Sequence, residues 1–333
     1  MASQKDISHP AIDSNGHLSL EVSDGEAGSR VDRMLGRSLA PHYSRSYLTA
    51  LLVEGILTVD GKTVRPAFRV STGAMIEGDL GEPTDALPGP EPMDIEIIHE
   101  DESVIIVNKP TDLIIHPGSG SSSGTLINGL LHRYPEVSVV GRAERPGIVH
   151  RLDKNTTGVM VVARTNEAAR SLVNQFKAKT VEKTYVAIVW GEMPFDSDWI
   201  ELQIGPHPAH PQLRAVVSDG GQTASTFYEV KERLGVASLV QVTPRSGRTH
   251  QIRVHLEHLG FPVIGDVQYG RLALESYRRW ITHLPEPPVL GRQALHAQTL
   301  SFEHPVTGER VEYEAPLPSD MEDLIEKFRS AKE

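Results

Sequence analysis

His150-Arg151-Leu152-Asp153-Lys154-Asn155-Thr156-Thr157-Gly158 runs directly into Val159-Met160-Val161-Val162-Ala163. The second half has the length and β-branched content of a buried strand. In the first half, Asn155 and Gly158 are turn residues. Polar groups gathered where a loop enters such a strand are placed to face a cleft. Asp153 stands between cations, which favour a carboxylate over a carboxylic acid. An ionised carboxylate serves as a nucleophile or a base. The plainer reading is a surface ion pair with a turn capped by Asn155 and Gly158, and composition alone favours it.

Working outward, three further stretches carry chemistry-bearing residues. Gly247-Arg248-Thr249-His250-Gln251-Ile252-Arg253-Val254-His255 offers two arginines able to hold a carboxylate or phosphate. Thr249 is placed as the cap of a helix whose first N–H groups would also face an anion. His250 and His255 are five apart, not the four of a helical zinc pair. In Lys183-Thr184-Tyr185-Val186-Ala187-Ile188-Val189-Trp190-Gly191, strand alternation puts Lys183, Tyr185 and Ala187 on one face. Tyr185 there either stacks on a base or packs as a structural ring. Asn108-Lys109-Pro110-Thr111-Asp112-Leu113-Ile114-Ile115-His116-Pro117-Gly118 leads into Ser119-Gly120-Ser121-Ser122-Ser123-Gly124. That run lacks the Gly-Lys-Ser/Thr ending of a phosphate-binding loop and reads as a flexible loop.

The chain has 333 residues, enough for two domains, and no cysteine, which excludes disulfides, thiolate metal sites and a cysteine nucleophile. Its fifteen histidines remain as candidate metal ligands. No apolar run approaches the ~20 residues of a membrane span. The first residues lack a signal-peptide stretch, so cytoplasm is the expected location. The formal net charge is −11, but the charges are segregated. Ten acidic residues and no Lys or Arg fall between Gly73 and Ser103, whereas nine Lys/Arg face four acids between Arg142 and Lys183. A locally basic face on an acidic protein can still bind phosphates.

Residues 1–27 read as a flexible or strand-like lead-in. From 28 to 80 a small unit is expected: helix, turn, a helix opened by Ser44-Arg45-Ser46 and ended by Gly55, then strands with a hairpin turn at Asp60-Gly61. This unit is also basic, seven Lys/Arg against three acids from Gly28 to Arg69. Residues 81–92 are a Pro/Gly/acid linker. Residues 93–318 form the main domain, and 319–333 a short helical tail. Strands are expected at 103–108, 158–163, 184–190, 237–243 and 298–302, and helices at 125–134, 166–179 and 249–259. The absence of a repeating strand–helix–strand beat gives an α+β fold, a mixed and mainly antiparallel sheet flanked by helices.

In this order the motifs resemble the RluA/RluD-type pseudouridine synthase family, and within it the RluD branch that acts on large-subunit (23S) ribosomal RNA. His150-Arg151-Leu152-Asp153 with Thr156-Thr157-Gly158 is similar to the family's catalytic motif. Lys183-Thr184-Tyr185-Val186-Ala187 is similar to its tyrosine strand, and Gly247 to His255 to its arginine motif. Asn108-Lys109-Pro110, His116-Pro117-Gly118 and Ala294-Leu295-His296-Ala297 match further segments. Ser29-Arg30-Val31-Asp32, Ser44-Arg45-Ser46 and Glu54 to Lys62 resemble the small RNA-binding module of ribosomal protein S-four. Two positions depart from the pattern. Thr157 stands where serine is common, and Thr111-Asp112 where a small residue and glycine are usual. Asp can take the left-handed backbone that such a turn needs.

The resemblance implies an isomerase that converts uridine to pseudouridine without a cofactor, as a monomer whose partner is RNA. It implies that Asp153 is the essential catalytic residue, and that Arg253, Tyr185, Arg151 and His150 bind substrate or support the site. Arg253 would pair with Asp153, and Tyr185 would pack on the flipped uracil and assist removal of the C5 proton. Attack on the ribose anomeric carbon, addition to the uracil ring, and removal of the ribose 2′ proton all stay open to Asp153. Two other classes compete with this one. A non-catalytic RNA-binding or ribosome-assembly protein could keep the scaffold, and a metal hydrolase could use the histidines but lacks ligand spacing.

Overall fold

The computed structural model describes residues 10–13, 16–39, 43, 45–81, 89–116, 123–142, 145–210, 212–270 and 290–332. Residues 82–88 of the expected linker, Pro117 and Gly118 with the first part of the Gly/Ser run (119–122), the first nine residues and Ser44 lie outside them. The chain divides into two compact units. One is drawn from Met1–Pro92, His116–Pro135 and Arg142–Pro146, the other from Met93–Ile115, Glu136–Gly141 and Gly147–Glu333.

In the first unit, strands β1 (Ala11–Ile12) and β2 (His17–Glu21) are followed by helices α1 (Val31–Ser38) and α2 (Arg45–Glu54). Strands β3 (Thr58–Val59) and β4 (Met75–Asp79) complete an antiparallel sheet in the order β1-β2-β4-β3. Val31, Met34 and Leu35 of α1 and Leu48, Leu51 and Leu52 of α2 supply its core, at the helical spacing read from sequence. Asp60 (φ 50) and Gly61 (φ 72) both take left-handed angles and close a bridge between Val59 and Lys62, the geometry an Asp-Gly turn favours. The sheet reaches back before Gly28, because Leu18 and Leu20 of β2 are fully buried in the same core. Helix α3 (Leu126–Arg133) also belongs to this unit, not to the main domain as expected. The Asn128 side-chain amide donates to Gly89 O at 2.7 Å, and Gly124 N–H donates to the Glu91 carboxylate at 2.8 Å.

The second unit holds β5 (Glu96–Glu100), β6 (Val104–Lys109), short β7 (Gly141–Arg142) whose second residue falls in the first unit, and β9 (Thr157–Ala163). Short β8 (Arg145–Pro146) lies in the first unit. Helix α4 (Asn166–Ala178) follows, its end capped by the Thr165 hydroxyl, which accepts from Ala168 N–H at 3.1 Å. Then come β10 (Glu182–Trp190), β11 (Ser197–Pro206), β12 (Arg214–Val216), β13 (Gln222–Arg233) and β14 (Ala237–Pro244). Helix α5 (Gln251–His258), strands β15 (Leu295–Glu303) and β16 (Arg310–Glu314), and helix α6 (Ser319–Lys332) complete it.

Among the described residues ten strands join in one sheet, in the order β12-β11-β13-β14-β10-β15-β9-β6-β5, with β16 beside β15. Among the described residues of this sheet, β15–β9 is the one parallel pair. Every residue of β9 is buried, which explains the continuous apolar run in its sequence. Helix α6 is not a tail. Met321, Leu324, Ile325 and Phe328 are buried in one core with Trp190, Val240 and Leu256. Each such side chain contributes about 1.5–3 kcal/mol of apolar burial. No helix among the described residues is long and apolar enough to cross a membrane.

Candidate active site

Sheet register brings the distant motifs together. Gly158 on β9 lies beside Ala297 on β15, and Ala297 is the cross-strand partner of Tyr185 on β10. The loop that ends in Gly158 therefore opens next to Tyr185. Only glycine fits at 158: its φ is +118°, and a Cβ would stand 2.1 Å from Ala297 O. A register shift between Thr184 and Tyr185 marks a bulge, a device that re-aims a side chain. Strand β14, the neighbour of β10, ends at Pro244, and a short turn then delivers α5 with Arg253.

Arg253 is the hub. Its Nη1 donates to Asp153 Oδ2 at 3.0 Å. Its Nε and Nη2 donate to the two oxygens of Asp266 at 2.6 and 2.9 Å, and Nη2 also donates to Gln268 Oε1 at 2.7 Å. Burial opposes the charge, but Asp266 and Asp153 outweigh it and raise the arginine's affinity for its proton. Two carboxylates thus share one guanidinium, so Arg253 aims Asp153 while Asp266 absorbs part of its charge. The Arg253 guanidinium also lies over the Tyr269 ring, 4.9 Å from its centroid.

His250 is the residue before α5, with left-handed backbone (φ 58), and no side chain caps the helix there. The expected cap at Thr249 is replaced: Gln251 Oε1 accepts from Arg248 N–H at 3.1 Å and from Ser246 Oγ at 2.7 Å. His250 Nδ1 is hydrogen-bonded to Tyr269 Oη at 2.7 Å, and its Nε2 lies 3.9 Å from Asp153 Oδ1.

His150 lines the site and is held in place there. Its ring stacks on Phe176 at 4.7 Å, and its Nε2 accepts from Val161 N–H at 3.0 Å. Burial, with Lys183 adding to it, pulls this histidine down to about 3, so it is neutral. Arg151 is exposed and lines the cleft. Tyr185 is half-buried, and burial together with the Asp153 charge pushes its phenol upward, which keeps it protonated.

Lys109 has no exposed surface, and its ammonium donates to the carbonyls of Pro110, Leu113 and Lys154 at 2.8, 3.0 and 2.7 Å. It ties the opening segment to the loop that carries Asp153. Burial pulls Lys109 down to about 7, opposed by the Asp153 charge. Asp112 does take the left-handed conformation (φ 59), and its carboxylate meets Lys154 Nζ at 2.8 Å. The Thr157 hydroxyl is engaged with His296 Nδ1 at 2.8 Å, and His296 Nε2 with Ala315 O at 3.1 Å.

Asp153, Arg253, His250, His150, Arg151 and Tyr185 border a cleft of about 570 Å³. Its lining includes Arg151, Lys177, Lys179, Lys183, Arg245, Arg248 and Arg253, with Asp153 the one acidic side chain among its described residues. Burial pulls Lys183 down to about 8. Such a cleft attracts a polyanion and presents it to a single carboxylate. Among the described residues no three His, Asp or Glu side chains converge as a metal site.

Residues 103–258 match the model of the RNA pseudouridylate synthase family. The chain is 42% identical over 321 residues to the ribosomal large subunit pseudouridine synthase D of Neisseria meningitidis serogroup A, covering 96% of this chain and 84% of that protein. This chain belongs to the RluA/RluD-type pseudouridine synthase family. It is an RNA-modifying isomerase. The protein of the same name from Pseudomonas aeruginosa is 40% identical over 316 residues, covering 94% of this chain and 96% of that one. The solved structure titled Human RNA Pseudouridylate Synthase Domain Containing 1 superposes with a TM-score of 0.53 at 27% identity, over 72% of the synthase and 98% of that chain.

Of the residues singled out in this synthase's sequence, Asp153, Tyr185, Arg253 and Arg151 meet at the cleft, and His150 supports it. Asp266, Gln268 and Tyr269 escaped notice. Their signal, Gly265-Asp266-Val267-Gln268-Tyr269-Gly270, is a glycine-bounded loop with no periodicity to mark it.

Proposed function

We propose that the synthase isomerises uridine in large-subunit ribosomal RNA, with Asp153 as the essential carboxylate. The observation that carries this is the one acid among the described residues of a cation-lined cleft, held by Arg253 at 3.0 Å. The choice of RNA is supported by the names of the relatives from Neisseria and Pseudomonas. The reaction breaks the bond from ribose C1′ to uracil N1 and joins C1′ to C5; one proton leaves C5 and N1 gains one. Nothing is oxidised or reduced, so the proposed chemistry needs no cofactor. The uridine must first leave its stack, at a cost of a few kcal/mol, which phosphate contacts from cations such as Arg151, Lys177 and Lys179 offset. Attack at C1′, addition to the ring and removal of the 2′ proton each require an aimed carboxylate, which the Arg253–Asp266 pair supplies. Tyr185 packs on the base with its phenol protonated, so its ring matters more than its hydroxyl.

In this reading the enzyme works as a monomer in the cytoplasm. The small N-terminal unit, with its basic balance and paired helices, is an RNA-holding module of the S-four type. Tritium release from C5-labelled transcripts of 23S, 16S and transfer RNA tests the substrate. Release from the 23S transcript is expected, and release confined to another RNA would overturn the assignment.

A further inference from the structure

Trp199 on β11 and Phe227 on β13 are cross-strand partners, with ring centroids 5.1 Å apart and planes tilted by 44°. Strand alternation forces the tryptophan outward: its neighbour Ile200 is 3% exposed in the core, and Trp199 itself is 39% exposed. The Arg245 guanidinium lies over this ring, with Cζ 4.2 Å from the centroid. Arg245 also lines the cleft, and its backbone N–H is fixed to Ser225 O at 2.9 Å. One side chain therefore belongs both to an exposed aromatic pair and to the lining of the site.

We propose that Trp199 and Arg245 form a stacking platform for an unpaired nucleobase of the RNA, adjacent to the uridine that enters the cleft. This rests on the reading of that cleft as an RNA site. When a uridine flips out, its neighbour loses a stacking partner. Aromatic rings and guanidinium planes both stack on bases of any sequence. The platform restores part of what flipping costs, beside the place where it is lost. Charge fixes the direction of the strand. Asp198 and Glu201 are exposed on β11, where Asp198 accepts from Trp199 N–H at 2.7 Å and Glu201 accepts from Ser225 Oγ at 3.1 Å. They repel phosphate from that side, so the backbone follows Arg245 and Arg248 while the neutral base meets the ring.

The test uses the full chain and two readouts, tritium release from 23S transcript and retention of a short oligouridylate on filters. Trp199→Ala raises KM and weakens oligouridylate binding roughly 5- to 160-fold, the range of one lost base–aromatic stack. The effect on kcat is small by comparison. Trp199→Phe keeps most of the affinity, which separates stacking from a folding defect. Arg245→Lys keeps the charge but loses the plane, so affinity falls while its salt dependence is unchanged. Wild-type KM and oligouridylate affinity in both Trp199→Ala and Arg245→Lys would overturn the proposal. If no RNA releases tritium with the wild type while Trp199-dependent binding persists, the platform stands and the catalytic reading falls.

Discussion

Arg253→Met removes a cation that two carboxylates share. The Arg253 side chain is 4% exposed and that of Asp266 is fully buried. After the change Asp266 keeps, among the described residues, the N–H groups of Gln268 and Tyr269, at 3.0 and 3.1 Å. Breaking a buried ion pair by deleting one partner costs about 3–5 kcal/mol. The two surviving hydrogen bonds place this case near the lower end, about 3 kcal/mol. Against a domain stability of about 5–15 kcal/mol the loss is easily measured. Adding Asp266→Asn removes the stranded charge, so the double variant should be more stable than Arg253→Met by at least about 1.5 kcal/mol. Urea unfolding followed by tryptophan fluorescence reads this directly, because Trp190 and Trp199 both lie in the larger unit. A loss of less than about 1 kcal/mol in Arg253→Met, or a double variant no more stable than the single one, would contradict a shared buried charge.

Other expectations follow from single contacts. Gly158→Ala forces a Cβ against Ala297 O and should cost about 2–4 kcal/mol, seen as a lowered melting temperature; an unchanged melting temperature contradicts the packing account. Tyr185→Phe should keep activity within about tenfold while Tyr185→Ala loses far more, since the phenol stays protonated; equal losses in tritium release would give the hydroxyl a direct part. Burial holds His255 down to about 4 from 6.5, so the unfolded chain binds more protons in that window and stability falls as pH drops through it, by about 3 kcal/mol. His255→Asn should make that acid limb shallower in urea titrations, leaving the slopes due to His150, His250 and His296, whose pKa values burial also lowers. Lys62→Glu with Arg65→Glu, both exposed on the small unit, should weaken RNA binding at low salt without changing the unfolding midpoint.

The elements legible in sequence were those with strong local signals. The apolar run at 159–163, the helix at 166–178 and the Asp60-Gly61 turn needed no tertiary information. The long strands β11 and β13 were missed because their outer faces are polar, the inward Thr226 breaks the apolar alternation of β13, and a register shift between Val230 and Glu232 interrupts it. The site was legible as separate motifs, but their convergence depends on non-local pairing of Gly158, Ala297 and Tyr185. The Thr249 cap gave way to a left-handed His250 because the ring reaches Tyr269. Asp266 was invisible for the same reason, since its meaning lies in a guanidinium thirteen residues earlier in the chain. The tail became core because Met321 and Phe328 of α6 are buried in the cluster around Trp190, a contact no local pattern announces.

In the proposed mechanism Asp153 does the chemistry and Arg253 holds it in place. Tritium release from C5-labelled 23S transcript, comparing wild type with Asp153→Asn at matched RNA affinity and matched unfolding midpoint, tests it most directly. The account predicts release by the wild type and none above background by the variant. Release by Asp153→Asn at the wild-type rate would contradict it.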